Sequence, residues 1–264
     1  MEKVFKVKAY DLGGEVERVG YYQDVVDKIT EKRNNPILTD KPKLKFERSE
    51  EEKKELNKER SIRRTKTKVR RLAQAYNMRY MWTLTFAKTE ININGRVYST
   101  GDYDDVWHLW KMFIQRCRRN GLDFDYICTV EVQEERYKKY GDKVYHFHFL
   151  TNKNIPINYE KAKKSGQKFN MSSLWGHGFV NVQFQKSKRK AHLYIVKYVT
   201  KLVDEMGSGK QRYRVKQGLE VPVEEFFLND HVEFYLSAGD NIKRNSYDVL
   251  GNKLEIFWMI YSKT

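Results

Sequence analysis

The sequence predicts an α+β protein with a central antiparallel sheet that carries helices on one face and a polar working surface on the other. Three segments, 80–86, 125–133 and 144–151, alternate between apolar side chains and Thr, Glu, Gln or His, as half-buried strands do. A sheet with one apolar and one polar face is typical of antiparallel pairing. Two stretches with helical character, 49–79 and 103–119, complete the pattern.

Composition and charge limit the classes of partner. The 264 residues are 40% hydrophobic, which suffices for one large domain or a domain with an extension. Lys and Arg outnumber Asp and Glu by 51 to 35, a net charge of +16, and this surplus indicates a polyanion, most simply nucleic acid. A membrane surface is the rival, but no long apolar run or signal-peptide pattern supports it. Cys117 and Cys128 suggest reduced thiols of a cytoplasmic protein.

The N-terminal part is informative mainly for its charge. Residues 4–7 predict a short strand, and residues 49–79, which contain neither Gly nor Pro, predict a helix. Acidic residues lead this helix and basic residues follow, an order that suits the helix dipole and also an ordinary solvated face. Because the whole protein is basic, we interpret the second half as a DNA-binding surface, formed by Arg63, Arg64, Lys68, Arg70 and Arg71.

The segments before residue 122 predict a strand, a turn and a helix. In the strand, Thr83 and Thr85 share one face and the apolar residues share the other. Residues 92–95, Asn-Ile-Asn-Gly, suggest a turn or hairpin. Residues 103–119 predict an amphipathic helix that Gly121 ends; its apolar positions are Val106, Leu109, Trp110, Phe113 and Ile114.

The strand 125–133 repeats the alternation. Thr129, Glu131 and Gln133 line one face, and apolar side chains line the other. A polar segment, 134–143, leads from this strand to the next. The polar face of the sheet therefore gains carboxylate, hydroxyl and amide groups, which accept hydrogen bonds.

The strand 144–151 carries the strongest candidate site. His146 and His148 point to one face, whereas the bulky residues Tyr145, Phe147 and Phe149 point to the other. Two imidazoles held side by side on a rigid strand can ligate one divalent metal. The alternative is that both are ordinary polar residues of an amphipathic strand.

Two shorter signals follow the histidine strand. Pro156 could sit in the first turn of a short helix through Lys164. Residues 175–184 predict a turn and a further strand, and His177, which lies between two glycines, is interpreted as a turn residue.

Residues 189–204 lack Gly and Pro and predict a helix with two distinct sides. At about 100° per residue, two tyrosines and two lysines fall in one arc, opposite the apolar residues. Because the tyrosines lie off the apolar side, they are candidate nucleophiles, or alternatively surface residues with partly buried rings. The first arc contains Tyr194, Lys197, Tyr198 and Lys201, and the apolar side contains Ile195, Val196, Val199, Leu202 and Val203. Lys201 joins the expected DNA-binding surface.

Residues 207–210, Gly-Ser-Gly-Lys, are similar to part of a phosphate-binding loop. The full pattern needs Gly where Asp204 stands and Ser or Thr where Gln211 stands. We therefore interpret this stretch as a linker and expect no ATPase. Beyond it, residues 223–228 predict a short helix, and residues 232–236 and 253–261 predict strands.

Three segments, Thr83–Thr85, His146–His148 and Tyr194–Tyr198, resemble in this order the three motifs of the HUH endonucleases. More narrowly, they are similar to those of the rolling-circle replication initiators of bacterial plasmids and small phages. The resemblance covers about residues 60–205.

The resemblance also implies an organisation for the chain. A ferredoxin-like or RRM-like HUH core would occupy residues 60–206, preceded by an N-terminal extension over residues 1–59. Residues 207–264 would form a C-terminal accessory segment that packs on the core, where it could cap the sheet or recognise the origin.

The resemblance implies a metal site and a nucleophile. Mg²⁺ or Mn²⁺ would be bound by His146, His148 and a third ligand upstream, for which Glu131 fits and Gln133 is the reserve. Tyr194 matches the version of the motif with one tyrosine, and Tyr194 with Tyr198 matches the version with two, which we favour. Lys197 would counter charge at the phosphate or orient a phenol.

The implied activity is metal-dependent, site-specific nicking of one DNA strand through a 5′-phosphotyrosine, which initiates rolling-circle replication. The implied partners are single-stranded or hairpin origin DNA and a host helicase and polymerase. Within the same superfamily, a single-strand transposase or a relaxase is the alternative, although a relaxase usually has a three-histidine cluster and a tyrosine near the N-terminus, which this chain lacks. Outside it, the alternatives are a non-catalytic nucleic-acid-binding protein and a metal-dependent hydrolase that cleaves without attachment.

Overall fold

The computed structural model describes residues 4–35, 49–205, 213–236, 242–249 and 251–263. The chain divides into two compact units. One unit joins the two ends of the chain, Met1–Leu56 with Glu220–Thr264, and the other is Asn57–Leu219. The fold class is the expected one, because both units contain antiparallel sheets together with helices.

The Asn57–Leu219 unit contains the segments from which the sheet was predicted. Its strands are β3 (Tyr80–Phe86), β4 (Glu90–Ile93), β5 (Arg96–Ser99), β6 (Tyr126–Val132), β7 (Tyr145–Thr151), β8 (Gly178–Phe184) and β9 (Arg214–Val215). Its helices are α2 (Glu50–Ala75, which begins before the unit boundary), α3 (Tyr103–Arg119), α4 (Glu134–Tyr140), α5 (Tyr159–Lys164), α6 (Met171–Trp175) and α7 (Lys188–Glu205).

Five of these strands form one antiparallel sheet in the order β8-β3-β7-β6-β9. The apolar face of the sheet carries large side chains such as Trp82, Phe147 and Phe149, all fully buried. Trp110 of α3 packs on this face, with 5.1 Å between its ring centroid and those of Phe147 and Phe149. The alternation predicted for the three strands is therefore confirmed, and it directs the polar side chains to the opposite face.

Helix α3 shows why the amphipathic pattern at 103–119 forms a helix that starts and stops where it does. Asp102 caps the first turn, because its side chain accepts hydrogen bonds from the backbone N–H groups of Asp104 and Asp105. Gly121 follows the last turn with φ of 73°, a left-handed conformation that favours glycine. Five of its buried residues are the apolar positions predicted from the spacing: Val106, Leu109, Trp110, Phe113 and Ile114.

The other unit is built on a second antiparallel sheet, in the order β10-β1-β2-β12-β11. Its core includes Phe5, Phe234, Phe257 and Met259, all buried. The two ends of the chain, treated separately in the sequence analysis, thus contribute to one sheet. Its elements are β1 (Phe5–Asp11), β2 (Glu15–Tyr22), α1 (Gln23–Asn34), β10 (Val223–Leu228), α8 (His231–Leu236), β11 (Lys243–Val249) and β12 (Asn252–Ser262).

Two predictions for the C-terminal part are wrong. The segment 223–228 is strand β10 and not a helix, because it pairs with β1, where Glu225 forms ion pairs with Lys6 at 2.7 Å and Lys8 at 2.5 Å. Pairing along a sheet edge here overrides local propensity. The segment 231–236 is helix α8 and not a strand, and Asp230 begins it by accepting a hydrogen bond from the backbone N–H of Glu233 at 3.1 Å.

Candidate active site

Residues on three neighbouring strands form two rows across the polar face of the β8-β3-β7-β6-β9 sheet. In one row Glu131 of β6 is opposite His146 of β7, and His146 is opposite Thr85 of β3. In the next row His148 is opposite both Thr129 and Thr83. Directly opposed residues of antiparallel strands lie on the same face, so the strand register collects the carboxylate and both imidazoles on one surface.

The three candidate ligand side chains converge on one point. Glu131 Oε2 lies 3.2 Å from His146 Nε2 and 3.0 Å from His148 Nε2. The two Nε2 atoms are 3.1 Å apart. Glu131 and His148 are buried, with 8% and 4% of their surfaces exposed. Among the described residues, these three form a group that could hold a metal ion, and Glu131 occupies the place expected for the third ligand.

Thr83 fixes the orientation of His148. Its Oγ1 lies 3.1 Å from Nδ1 of His148. When that Nδ1–H donates to the hydroxyl, the Nε2 lone pair is directed at Glu131 and His146, as a metal ligand requires. This gives the threonine-rich strand a physical role: it holds the imidazole tautomer that can bind a cation.

A cleft of about 810 Å³ opens beside the cluster. Thr85, Glu131 and His146 line it on the sheet side, and helix α4 lines it on the other. Arg136 of α4 also lines the cleft, and its Nη1 lies 3.4 Å from the carbonyl oxygen of Phe86. An anionic ligand could therefore reach the cluster past a guanidinium group.

Sequence reasoning missed helix α4, which was described only as a polar segment. A signal for it was present, since Glu134 and Glu135 lead, Lys138 and Lys139 follow, and Gly141 ends the helix at φ of 74°.

Helix α7 lies over β3, β6 and β7 on the face that carries the cluster. The ring of Tyr198 stacks on the imidazole of His148, with 3.6 Å between centroids and 10° between planes. Lys197 Nζ lies 5.8 Å from the centre of the Tyr198 ring. Tyr194, one turn earlier, is 44% exposed. The helix thus brings one of the two candidate phenols against a candidate metal ligand and leaves the other accessible.

The position of α7 follows from a third row of the sheet. Next to the row of His148, the residues on the same face are Met81, Leu150 and Ile127, all apolar and buried. Ile195 and Val199 of α7 are also buried, as the apolar side predicted for this helix requires. Burial of these side chains stabilises the helix on the far end of the face, while the cluster end stays open to the cleft.

The remaining candidate residues lie elsewhere or outside the described part of the chain. Gln133, the reserve ligand, donates from Nε2 to the carbonyl oxygen of Tyr145 at 3.4 Å and is outside the cluster. His177 lies 3.3 Å from Arg116 Nη2 and also stays outside it. The side chain of Lys201 and the residues 207–210 are outside the described residues.

The expected DNA-binding residues of α2 fall into two groups. Arg63, Arg64 and Lys68 are exposed, whereas Arg70 and Arg71 are half-buried. Arg70 donates to the side-chain oxygen of Gln74 at 3.0 Å. The first group therefore faces solvent, while Arg70 is also used within the helix.

An antiparallel α+β sheet with a Glu–His–His cluster on its polar face is consistent with an HUH-type core. Residues 79–203 match the family model of the replication-associated proteins of the ORF2 type, a match that agrees with the resemblance to rolling-circle replication initiators and spans all three motifs. No curated protein and no solved structure gave a significant match. Within the described residues, none of the helices combines the length and apolar character needed to cross a bilayer.

Proposed function

We propose that this protein is a DNA endonuclease and strand transferase that nicks one strand of an origin and thereby starts rolling-circle replication. The observation that carries the proposal is the convergence of Glu131, His146 and His148 beneath the tyrosine helix, with Tyr198 stacked on His148. The match of residues 79–203 to replication-associated proteins supports it. The net charge of +16 supports a nucleic-acid substrate.

The donor set fits a divalent cation, for which we propose Mg²⁺ or Mn²⁺ held by Glu131, His146 and His148. The carboxylate is a ligand for both ions, and the imidazoles favour Mn²⁺. Such a cation would supply positive charge to an oxygen of the scissile phosphate. The protein's own part is to orient the ligands, through Thr83 on His148, and to hold the phosphate near the tyrosine helix.

Tyr194 and Tyr198 are the proposed nucleophiles. The phenol oxygen forms a bond to phosphorus, and the bond from phosphorus to the 3′ oxygen of the neighbouring nucleotide breaks. The proton lost by the phenol is balanced by the proton gained by the 3′ oxygen, which leaves a 3′-hydroxyl and a 5′-phosphotyrosine. Because one phosphodiester replaces another, a later strand transfer needs no ATP, and the second tyrosine would serve the terminating cut.

The other proposed roles concern charge and partners. Lys197, beside the Tyr198 ring, would counter the charge of the pentacovalent phosphorus. Arg63, Arg64, Lys68, Arg70, Arg71 and Lys201 would hold the DNA backbone. The substrate would be single-stranded or hairpin origin DNA, since a duplex would not place its phosphate at a tyrosine on a helix. A host helicase would unwind the duplex, and a host polymerase would extend the 3′-hydroxyl.

The test is to incubate the protein and Mn²⁺ with single-stranded fragments of the genetic element that encodes it. In a denaturing gel we expect a covalent protein–DNA band that carries a label from the 3′ end of the DNA and not from the 5′ end. Sequencing the attached strand would identify the nick site. Cleavage without a covalent band would indicate a hydrolase, and binding without cleavage would indicate a non-catalytic binding protein; either result contradicts the proposal.

A further inference from the structure

Strand β8 forms one edge of the sheet and extends the polar face beyond the cluster. Its register with β3 sets Phe179 opposite Thr85, Asn181 opposite Thr83 and Gln183 opposite Met81. Because opposed residues of antiparallel strands share a face, these three side chains lie on the face of the cluster. Phe179 thus ends the row that starts at Glu131 and passes through His146 and Thr85.

The strip of Phe179, Asn181 and Gln183 is exposed, unlike the rest of the face. Phe179 is 74% exposed. The alternate residues Val180 and Val182 pack against the core on the other face, so the fold accounts for them. Helix α7 lies over β3, β6 and β7, and the exposure of the strip shows that α7 leaves it open to solvent. The packing of the described residues gives no reason for a phenylalanine at this place.

The place of Phe179 in the row is fixed by Gly178. Gly178 has φ of +154°, and a Cβ there would overlap the backbone of Thr85 and Ala87. The two strands can therefore approach closely at this point only because residue 178 has no side chain. Neighbouring strands are about 4.8 Å apart, so the backbone of Phe179 is about 10 Å from that of His146, two strands away.

We propose that Phe179 stacks an unpaired base of the single-stranded DNA whose scissile phosphate lies at the cluster, and that Asn181 and Gln183 contact the following nucleotides. The inference rests on the proposed function, whose substrate it positions. Aromatic side chains on a sheet are the usual stacking platform for single strands. Amide side chains offer both donors and acceptors to base edges. Single-stranded DNA is the occupant that continuity with the cluster row favours.

Cationic groups at both ends of the strip fit a polyanionic strand. Arg136 donates to the carbonyl oxygens of Phe86 and Ala87 at 3.4 and 3.5 Å, next to the strand end opposite Gly178. At the other end, Arg79 donates to the carbonyl oxygen of Gln185 at 3.0 Å. A strand along β8 would therefore run between two guanidinium groups, with the aromatic ring between its bases.

The experiment measures binding without cleavage. Fluorescence anisotropy of a labelled oligothymidylate of about 15 nucleotides is recorded in EDTA for the wild type and for Phe179→Ala, Phe179→Trp and Phe184→Ala. Phe184 is a matched control, because it lies on the same strand, is 51% exposed and points to the other face. Phe179→Ala should weaken binding about 5- to 100-fold, while Phe179→Trp and Phe184→Ala retain it.

A second readout separates stacking from charge. Phe179→Ala should leave the slope of log affinity against log salt unchanged, because a stacking residue releases no counterions. Wild-type affinity in Phe179→Ala, or an equal loss in Phe184→Ala, would overturn the proposal. Since cleavage plays no part in this assay, a chain that binds as expected but never forms a covalent adduct would contradict the proposed function and leave the stacking site intact.

Discussion

The ring of Tyr198 lies parallel to the imidazole of His148, with 3.6 Å between the two centroids. The same imidazole faces Thr83 through Nδ1 at 3.1 Å and Glu131 through Nε2 at 3.0 Å. His148 therefore connects the tyrosine helix, the threonine strand and the candidate metal ligands. Changes to any of its three neighbours are expected to act on the same site by different physical routes.

Removing only the tyrosine hydroxyls tests the nucleophiles. Tyr198→Phe keeps the ring that stacks on His148, so a loss of activity would reflect the missing oxygen and not lost packing. We expect the double variant Tyr194→Phe with Tyr198→Phe to lower the covalent adduct by about 1,000-fold or more, with unchanged affinity for single-stranded DNA. Each single variant shows which phenol makes the first attack. Adduct persisting in the double variant would remove both tyrosines from consideration.

Replacing Thr83 by valine tests the orientation of His148. The change keeps the shape of the side chain but removes the oxygen 3.1 Å from Nδ1. Loss of such a partner typically weakens metal binding about 10- to 100-fold, which electron paramagnetic resonance of free Mn²⁺ can measure without DNA. Thr85→Val is the matched control, since Thr85 is on the same strand and face but opposes His146. Equal Mn²⁺ affinity in the two variants would contradict this role.

Much of the candidate site could be predicted from the sequence because strand periodicity fixes which side chains share a face. His146 and His148 on one strand, and Glu131 on another, needed only the alternation of two. That they meet also required the register, which pairs Glu131 directly with His146. The loop between the two strands is long, so its length alone did not determine that pairing.

Other features depend on tertiary contacts that a local pattern does not carry. The strand β10 forms because residues from the two ends of the chain pair, with Glu225 between Lys6 and Lys8. Similarly, Phe179 reads as an ordinary residue of an amphipathic strand. Only the position of β8 at the sheet edge, where α7 leaves it exposed, distinguishes it.

Gly178→Ala tests the close approach of β8 to β3. At φ of +154° with backbone atoms of Thr85 and Ala87 in the way, alanine must displace one strand, and we expect the free energy of unfolding to fall by about 3 kcal/mol or more. The control is Gly141→Ala, where φ is +74° and nothing lies within 4 Å; conformation alone should cost about 1–2 kcal/mol there. Equal losses measured by chemical denaturation would mean that the strands can separate freely at this point.

Acidification should destabilise the fold through His177. Burial, followed by the nearby Arg116 guanidinium, lowers the pKa of His177 from 6.5 to about 4. Between these two values the unfolded chain binds a proton that the folded chain does not, so the free energy of unfolding falls as the pH drops through this window. Arg116 Nη2 lies 3.3 Å from His177 Nε2, and protonation would set two cations side by side.

The test compares the wild type with His177→Gln, whose amide oxygen can still accept from Arg116 but does not titrate. Between pH 7 and pH 5 the wild type should lose about 1 kcal/mol more than the variant, after allowance for solvent screening. Burial, followed by the nearby Arg70 charge, also lowers the pKa of His192 to about 4, so part of the acid sensitivity should remain in the variant. Denaturation curves at the two pH values measure the difference, and parallel losses in both proteins would show that the proton binds elsewhere.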